Sequence, residues 1–317
     1  MALLFFKTTL MLMTGSVLFV GAAGLVGQRL PAGQIVPVVI YNQPVVVLVD
    51  LDRKLIATRA HNPNVVFEAS LSPDQTQIAY TMSNGSRLQV FVGSLFQGKA
   101  HELTELGDGV TSAAWSPDGQ KMAIIADEGS DNNLYVLQTQ PASPLFSRIL
   151  KNGTYAMPRW APDGRRVVLT SARVADLADI FVVDTDCVSE CDNQLYQVTN
   201  TLSIETFPVW SPDGSQIIFL SDRSGDYEIY ALDSNCLEAG SVPCRQQNPR
   251  RLRLNRLIVP FFLMWSSDSR EIIFRGWDLR SNRPGLFSID ADCYKLSGRC
   301  PVTLLYDLTN LVVRRWS

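Results

Sequence analysis

Six cysteines fall as three close pairs: Cys187 and Cys191 in VVDTDCVSEC, Cys236 and Cys244 in ALDSNCLEAGSVPC, and Cys293 and Cys300 in SIDADCYKLSGRC. Each pair follows an apolar run that ends on an acidic residue. Recurrence at one place in three related segments predicts three local disulfides, each closing its own loop. A zinc site would need CxxC-type pairs and ligands converging from different loops, and this pattern offers neither. Disulfides persist outside the cytosol, so the body of the chain is expected on the extracytoplasmic side. Loops this short gain less from closure than long ones, so the staples are expected chiefly to stiffen loop ends.

The remaining reactive residue types are sparse. There are two histidines, His61 and His101, and His101 opens HELTEL, which lacks the second histidine of a zinc-binding HExxH. No GxSxG nucleophile elbow occurs. Acidic stretches in ADEGSDNN (Asp127, Glu128, Asp131) and SDRSGDYE (Asp222, Asp226, Glu228) could suggest calcium, but neither has the spacing of an ordered oxygen-ligand loop. Both read better as hairpin tips, where Asp, Ser, Gly and Asn are chosen for turn geometry. No metal, cofactor or catalytic residue is expected. The run PRRLRLNR carries Arg250, Arg251, Arg253 and Arg256 on and just after an outer strand. It reads as protection of a sheet edge or as a contact for an anionic lipid or acidic partner. The sequons at Asn84 and Asn152 read as turns unless the source glycosylates secreted proteins.

Stepping along the chain, the first 28 residues carry one charge, Lys7, followed by an uncharged run over residues 8–28. That length suits one bilayer crossing, and Gly21, Ala22 and Ala23 also resemble a signal-peptidase site. Residues 1–28 are therefore expected to be either a retained helical membrane anchor or a cleaved signal. The net charge of -3 and pI near 5.5 exclude the strongly basic surface of a nucleic-acid binder.

One unit repeats over the rest. SLSPDQTQIAY, AWSPDGQKMAII, RWAPDGRRVVL, VWSPDGSQIIF and MWSSDSREIIF place Leu71, Trp115, Trp160, Trp210 and Trp265 at equivalent positions, and Trp316 continues the series. The steps of 44 to 55 residues are those of propeller blades. Within residues 205–255, ETFPVWS, SQIIFLS, YEIYALD and PRRLRLN read as four strands joined by PDG, RSGD and a longer loop. Short β-branched and aromatic runs fit strands covered on both faces by neighbouring sheets.

WSPDGSQIIFLSDRSGDYEIYALD resembles the TolB-type propeller repeat, and the resemblance extends over residues 31–317. It implies an all-β chain, a six-bladed β-propeller behind one N-terminal hydrophobic helix. Members of that family include periplasmic binding modules, propellers fused to serine peptidases and sensor ectodomains, so the fold by itself names no function. TolB itself carries an additional N-terminal α/β domain that finds no room here.

The sixth blade is expected to be composite. The chain stops on LVVRRWS, a first strand without its turn, while PAGQIVPVVIY from Pro31 aligns with PDGQKMAII from Pro117. VVVLVDLD and RKLIATR then supply third and fourth strands, closing the ring through its termini; the competing reading is a longer protein cut in mid-repeat. Pro37 lacks an N–H and is expected to shorten or bulge its strand. A ligand would sit at the mouth of the central channel, ringed by the third residue before each tryptophan position: Glu68, Ser112, Met157, Phe207, Phe262 and Val313. This mixed, mostly apolar ring suits a protein segment or apolar ligand, if it is more than channel packing. The expected function is a membrane-anchored or secreted extracytoplasmic propeller that binds a protein partner in the cell envelope. Alternatives are a hydrolase with a loop-built site and the sensing ectodomain of an envelope complex.

Overall fold

The computed structural model describes residues 35–39, 45–50, 56–60, 66–94, 100–139, 145–174, 177–187, 194–238, 241–295 and 298–310. β1 (Ile35–Val39), β2 (Val45–Asp50) and β3 (Ile56–Ala60) form a three-stranded antiparallel sheet. Five four-stranded antiparallel blades follow. Blade 1 comprises β4 (Val66–Leu71), β5 (Gln77–Ser83), β6 (Leu88–Ser94) and β7 (His101–Glu102). Blade 2 holds β8 (Gly109–Trp115), β9 (Lys121–Glu128), β10 (Asp131–Gln138) and β11 (Leu145–Gly153). Blade 3 holds β12 (Tyr155–Trp160), β13 (Arg166–Val174), β14 (Leu177–Asp184) and β15 (Tyr196–Gln197). Blade 4 holds β16 (Glu205–Trp210), β17 (Gln216–Ser221), β18 (Glu228–Asp233) and β19 (Arg250–Leu252). Blade 5 holds β20 (Ile258–Trp265), β21 (Glu271–Asp278), β22 (Arg283–Asp290) and β23 (Thr303–Asp307).

The all-β propeller expected from the repeat is thus present, with five complete blades among the described residues where six were expected. The segment expected to supply the missing first strand, residues 311–317, lies outside the described residues, as does the expected N-terminal helix. Among the described residues helices are limited to short 3-10 turns, and none is long and apolar enough to cross a membrane. Pro37 stands opposite Leu48 without a break in register, so the expected bulge is not formed.

One local mechanism makes the first turn of blades 1, 2, 4 and 5, while in blade 3 Ala161 stands at the serine position and Asp163 accepts from the N–H groups of Arg165 and Arg166. In blade 4 Ser211 Oγ donates to Asp213 Oδ1 at 2.5 Å, the Ser215 N–H donates to the same oxygen at 3.0 Å, and the Gln216 N–H donates to Ser211 Oγ at 2.9 Å. Gly214 takes φ +74°, which closes the hairpin. Ser116 and Asp118 repeat the pattern, as do Ser72 with Asp74 and Ser266 with Asp268, although Gln75 and Ser269 replace the glycine at φ 55° and 61°.

Packing follows from the apolar runs. In β17, Ile217, Ile218, Phe219 and Leu220 are all buried, contributing about 1.5–3 kcal/mol each. A strand covered on both faces needs sheets on both sides. Accordingly, the first strand of each later blade packs on the first three strands of the blade before it, as β16 does on β12, β13 and β14. The recurring tryptophan lies in this interface, where Trp160 Nε1 donates to the Ala114 carbonyl at 3.1 Å.

Cys236–Cys244 and Cys293–Cys300 are disulfides with Cα separations of 4.8 and 5.1 Å. Cys187 is also disulfide-bonded, and Cys191 lies outside the described residues. The stapled loops do more than stiffen their own ends. Cys236 and Cys244 pack with Val182 and Val198 of the preceding blade, where the Cys244 N–H donates to Tyr196 Oη at 3.2 Å. Cys293 and Cys300 pack with Leu252 and Leu254, and the Cys300 N–H donates to the Arg253 carbonyl at 2.5 Å. Blades diverge outward, and these loops fill the widening wedge between neighbours.

Candidate binding site at the channel mouth

Antiparallel order gives the ring two unlike ends. One, the turn face, carries the Ser-Pro-Asp-Gly turns and the stapled loops between third and fourth strands. The other, the mouth face, carries the starts of the first strands, the connections arriving from the preceding blade and the hairpins between second and third strands.

At the mouth the first strands are irregular. Each of β4, β8, β12, β16 and β20 breaks register with its neighbour near the third residue before the tryptophan position. Met157 and Phe207 adopt φ +54° and +52°, each directly ahead of a proline. Proline removes a ladder donor and pushes the residue before it out of the helical region, so the bulge falls there. A bulky side chain at positive φ costs on the order of 1–3 kcal/mol, so neighbouring packing must hold it. That packing links two of the six ring positions directly and ties a third to the neighbouring blade. Phe207 and Phe262 meet edge-to-face with centroids 6.3 Å apart, and Thr206 Oγ1 donates to Met157 Sδ at 3.3 Å. Ser112 is buried in β8. Glu68 lies in β4 with its side chain outside the described set, and Val313 lies outside the described residues.

Beside this seam sits a polar cluster that the ring expectation missed. Glu205, the first residue of β16, is fully buried. Its Oε1 accepts from Thr201 Oγ1 at 3.1 Å and Ser221 Oγ at 3.3 Å and is ion-paired with Arg223, while Oε2 is buried without a hydrogen-bond partner among the described residues. The Arg223 guanidinium lies 4.7 Å from the Tyr230 ring centre and 5.6 Å from that of Phe219. From blade 3, Asp179 accepts from Thr199 Oγ1 at 3.1 Å and from the Thr201 N–H at 3.2 Å. Burial raises its carboxyl above the ordinary range despite those hydrogen bonds. The sequence signal was an acid five residues ahead of tryptophan and an arginine after SD, but the pair is separated by 18 residues and only the strand pairing joins them.

Three leucines stand out on the same face. Leu202 is 91% exposed, Leu257 57% and Leu279 54%. The Leu279 N–H donates to the Leu257 carbonyl at 2.9 Å, which sets these two side by side across the mouth end of blade 5.

The other candidates are dispersed. Arg250 makes two bonds of 2.7 Å to Asp233 and lies 4.7 Å from the Tyr294 ring centre; Arg251 binds Glu228 at 2.7 Å and Arg256 binds Asp278 at 3.0 Å. Arg253 is exposed, so the four do not form one free basic stripe. The Asp222 carboxylate accepts from the Ile204 N–H at 2.8 Å, and Glu228 from Ser224 Oγ at 2.6 Å, which are turn and strand roles. Glu128 takes the Tyr135 hydroxyl. His101 is exposed in β7, and His61 lies outside the described residues. Among the described residues no group of three or more histidine, cysteine or acidic side chains converges to hold a metal.

A ring of antiparallel four-stranded sheets with this turn chemistry defines a β-propeller. A family model described as the TolB beta propeller domain matches residues 41–173 and 147–251, and the chain belongs to that family. Residues along it are 34% identical over 111 positions to a TolB homolog of Chlorobium chlorochromatii (35% of this chain, 24% of the relative). An uncharacterized peptidase of Bacillus subtilis, YuxL, is 28% identical over 114 residues (33% of this chain, 17% of the relative). The chain thus matches less than a quarter of the length of either relative. The crystal structure of TolB from Acinetobacter baumannii superposes with a TM-score of 0.65 at 18% identity, covering 86% of this chain and 66% of that one, which shows the shared fold.

Proposed function

We propose that this chain is an extracytoplasmic propeller, membrane-anchored or secreted, that binds a protein partner of the cell envelope at the mouth face over blades 3 to 5. The observation that carries the reading is the Phe207–Phe262 pair, with Met157 held by Thr206, at the end of blades 3 to 5 that also exposes Leu202, Leu257 and Leu279. Exposed apolar side chains gathered beside an apolar, strained channel rim mark an interaction surface more than chance surface composition. The cystines support an oxidising compartment.

In this reading the ring has six blades. β4 packs on β1 and β2, as later first strands pack on the second and third strands of the blade before them, which supports second, third and fourth places for β1, β2 and β3. Residues 311–317 then supply the first. β1 would start at the turn face, so residues 29–34, with a reach of about 20 Å, would join residues 8–28 to that face and leave the mouth turned away from the membrane. The test is a Leu202→Asp, Leu257→Asp, Leu279→Asp variant assayed for partner recovery from native membranes. Loss of a partner that the wild type retains, with unchanged melting temperature, is expected; undiminished recovery would overturn the reading.

The match to a peptidase supports a second reading, a hydrolase with a loop-built site. Turnover of a peptide and ester panel by the purified chain, abolished by Asp179→Asn or Glu205→Gln, would favour it.

A further inference from the structure

Two Asn-Gly pairs occur in the chain, Asn84-Gly85 and Asn152-Gly153. In this dipeptide a backbone nitrogen can attack the preceding side-chain amide with little hindrance, because glycine has no Cβ beside that nitrogen. The two pairs lie in opposite surroundings. Asn84 stands exposed at the hairpin between β5 and β6, with Gly85 at φ +105° and open space where a Cβ would be. Gly153 is buried and paired with Asn132, and the Tyr155 ring fills the space beside it.

Around Asn84 the hairpin assembles the groups that such an attack needs. Its Oδ1 accepts from Ser86 Oγ at 3.0 Å, from the Ser86 N–H at 3.2 Å and from the Arg87 N–H at 3.2 Å. Three donors on one carbonyl oxygen draw charge onto it and hold the oxyanion of a tetrahedral intermediate. Nδ2, the nitrogen that would leave, donates to Glu102 Oε1 at 2.9 Å. Glu102 is exposed in β7, so a carboxylate able to relay a proton stands beside the departing group. The Gly85 N–H, whose proton must go before the nitrogen attacks, donates to Ser83 Oγ at 3.2 Å. Asn152 lacks this setting. Its N–H donates to Asn133 Oδ1 at 2.9 Å, and its side-chain amide has no hydrogen bond among the described residues.

We propose that the blade 1 hairpin is a self-modification site, where Asn84 is converted to an acidic residue through a succinimide while Asn152 stays intact. The Gly85 nitrogen loses its proton and bonds to Asn84 Cγ. The bond from Cγ to Nδ2 breaks, and that nitrogen leaves as ammonia with the proton Gly85 gave up. Water then opens one side of the ring, giving an ordinary or a β-linked aspartyl residue, and nothing is oxidised or reduced. The product sets a carboxylate where an amide had donated to Glu102, so two like charges face each other. The β-linked form also lengthens the turn that the Asn84 N–H closes on the Arg87 carbonyl at 3.0 Å. Both changes loosen β7 and the connection that leads from it to blade 2. The site is in blade 1 and does not depend on the proposed partner surface over blades 3 to 5.

The test incubates the full chain at neutral pH beside a synthetic peptide of residues 81–89, which carries the same Asn-Gly pair without the fold or Glu102. Peptide-resolved mass spectrometry reads the amide-to-acid mass gain, and hydroxylamine traps the succinimide. Asn84 in the folded chain is expected to convert about tenfold or more faster than in the peptide, and Asn152 more slowly than either. Ser86→Ala should slow the folded chain by about threefold to tenfold and change the peptide little. Glu102→Gln should slow the folded chain as well. Both side chains are exposed, so an unchanged melting temperature separates lost chemistry from lost structure. Asn84→Asp should raise hydrogen exchange in β7 and residues 103–108 and leave the later blades as they were. Conversion of Asn84 no faster in the folded chain than in the peptide would overturn the proposal. So would equal rates at Asn84 and Asn152, or a Ser86→Ala chain that converts at the wild-type rate.

Discussion

The two ends of the ring are built from the same repeats yet differ in kind. At the turn face, Ser72, Ser116, Ser211 and Ser266 make the same hydrogen bond to an aspartate two residues on. At the mouth the bulge recurs in the first strand of all five blades, but the buried Glu205 with Arg223 and Asp179 form no such series. Repetition marks what every blade needs in order to fold. Departure from it marks where one part of the ring has been given something further to do.

The largest expected effect lies at the mouth. Arg223→Ala leaves Glu205 buried without its cation and should cost about 3–5 kcal/mol in urea unfolding. Replacing both, with Glu205→Leu, should recover a large part of that loss, because the penalty belongs to the unpaired charge. On the turn face, replacing Cys236 and Cys244 by alanine should cost about 2–4 kcal/mol, from the lost loop closure and the emptied wedge against Val182 and Val198. Hydrogen–deuterium exchange should rise in β15 of the preceding blade as well as in the stapled loop; a rise confined to the loop would reduce the cystine to a local staple.

A smaller effect separates the faces by pH. The hydroxyls of Ser72, Ser116 and Ser266 hold the carboxyls of Asp74, Asp118 and Asp268 below their ordinary range. A carboxyl lowered by folding stabilises above its unfolded pKa, and that stability is lost as pH falls through the folded value. Asp179 is raised, so its contribution has the opposite sign, present at low pH and lost as pH rises through its folded pKa. Asp118→Asn should therefore destabilise at pH 7, by no more than a few tenths of a kcal/mol because the exposed group is screened by solvent, and much less at pH 3. Asp179→Asn should be neutral or stabilising at pH 7, relative to its effect at pH 3. The same pH response in both variants would erase the distinction.

The same contrast explains what was legible in the sequence. The turns, the apolar runs between them and the tryptophan series are local and repeated, so pattern and turn chemistry located β16 to β18 closely. Local spacing also suggested the cystines, but not that their loops wedge against the preceding blade, because that depends on the radial spread of the sheets. Of the apolar ring positions, Phe207 and Phe262 are in edge-to-face contact and Met157 is held by Thr206, whereas Arg250, Arg251 and Arg256 are paired with Asp233, Glu228 and Asp278. Glu205 and Arg223 were invisible for the same reason: each is an ordinary residue until strand pairing brings them together.

The most direct test of the mouth as the partner surface is site-specific photo-crosslinking in native membranes. A benzophenone side chain would be placed at Leu202, Leu257 or Leu279, and for comparison at Gln120, exposed in the blade 2 turn on the opposite face. The account predicts one common protein adduct from all three mouth positions and none from Gln120. Adducts of equal yield from Gln120, or none from the mouth, would contradict it.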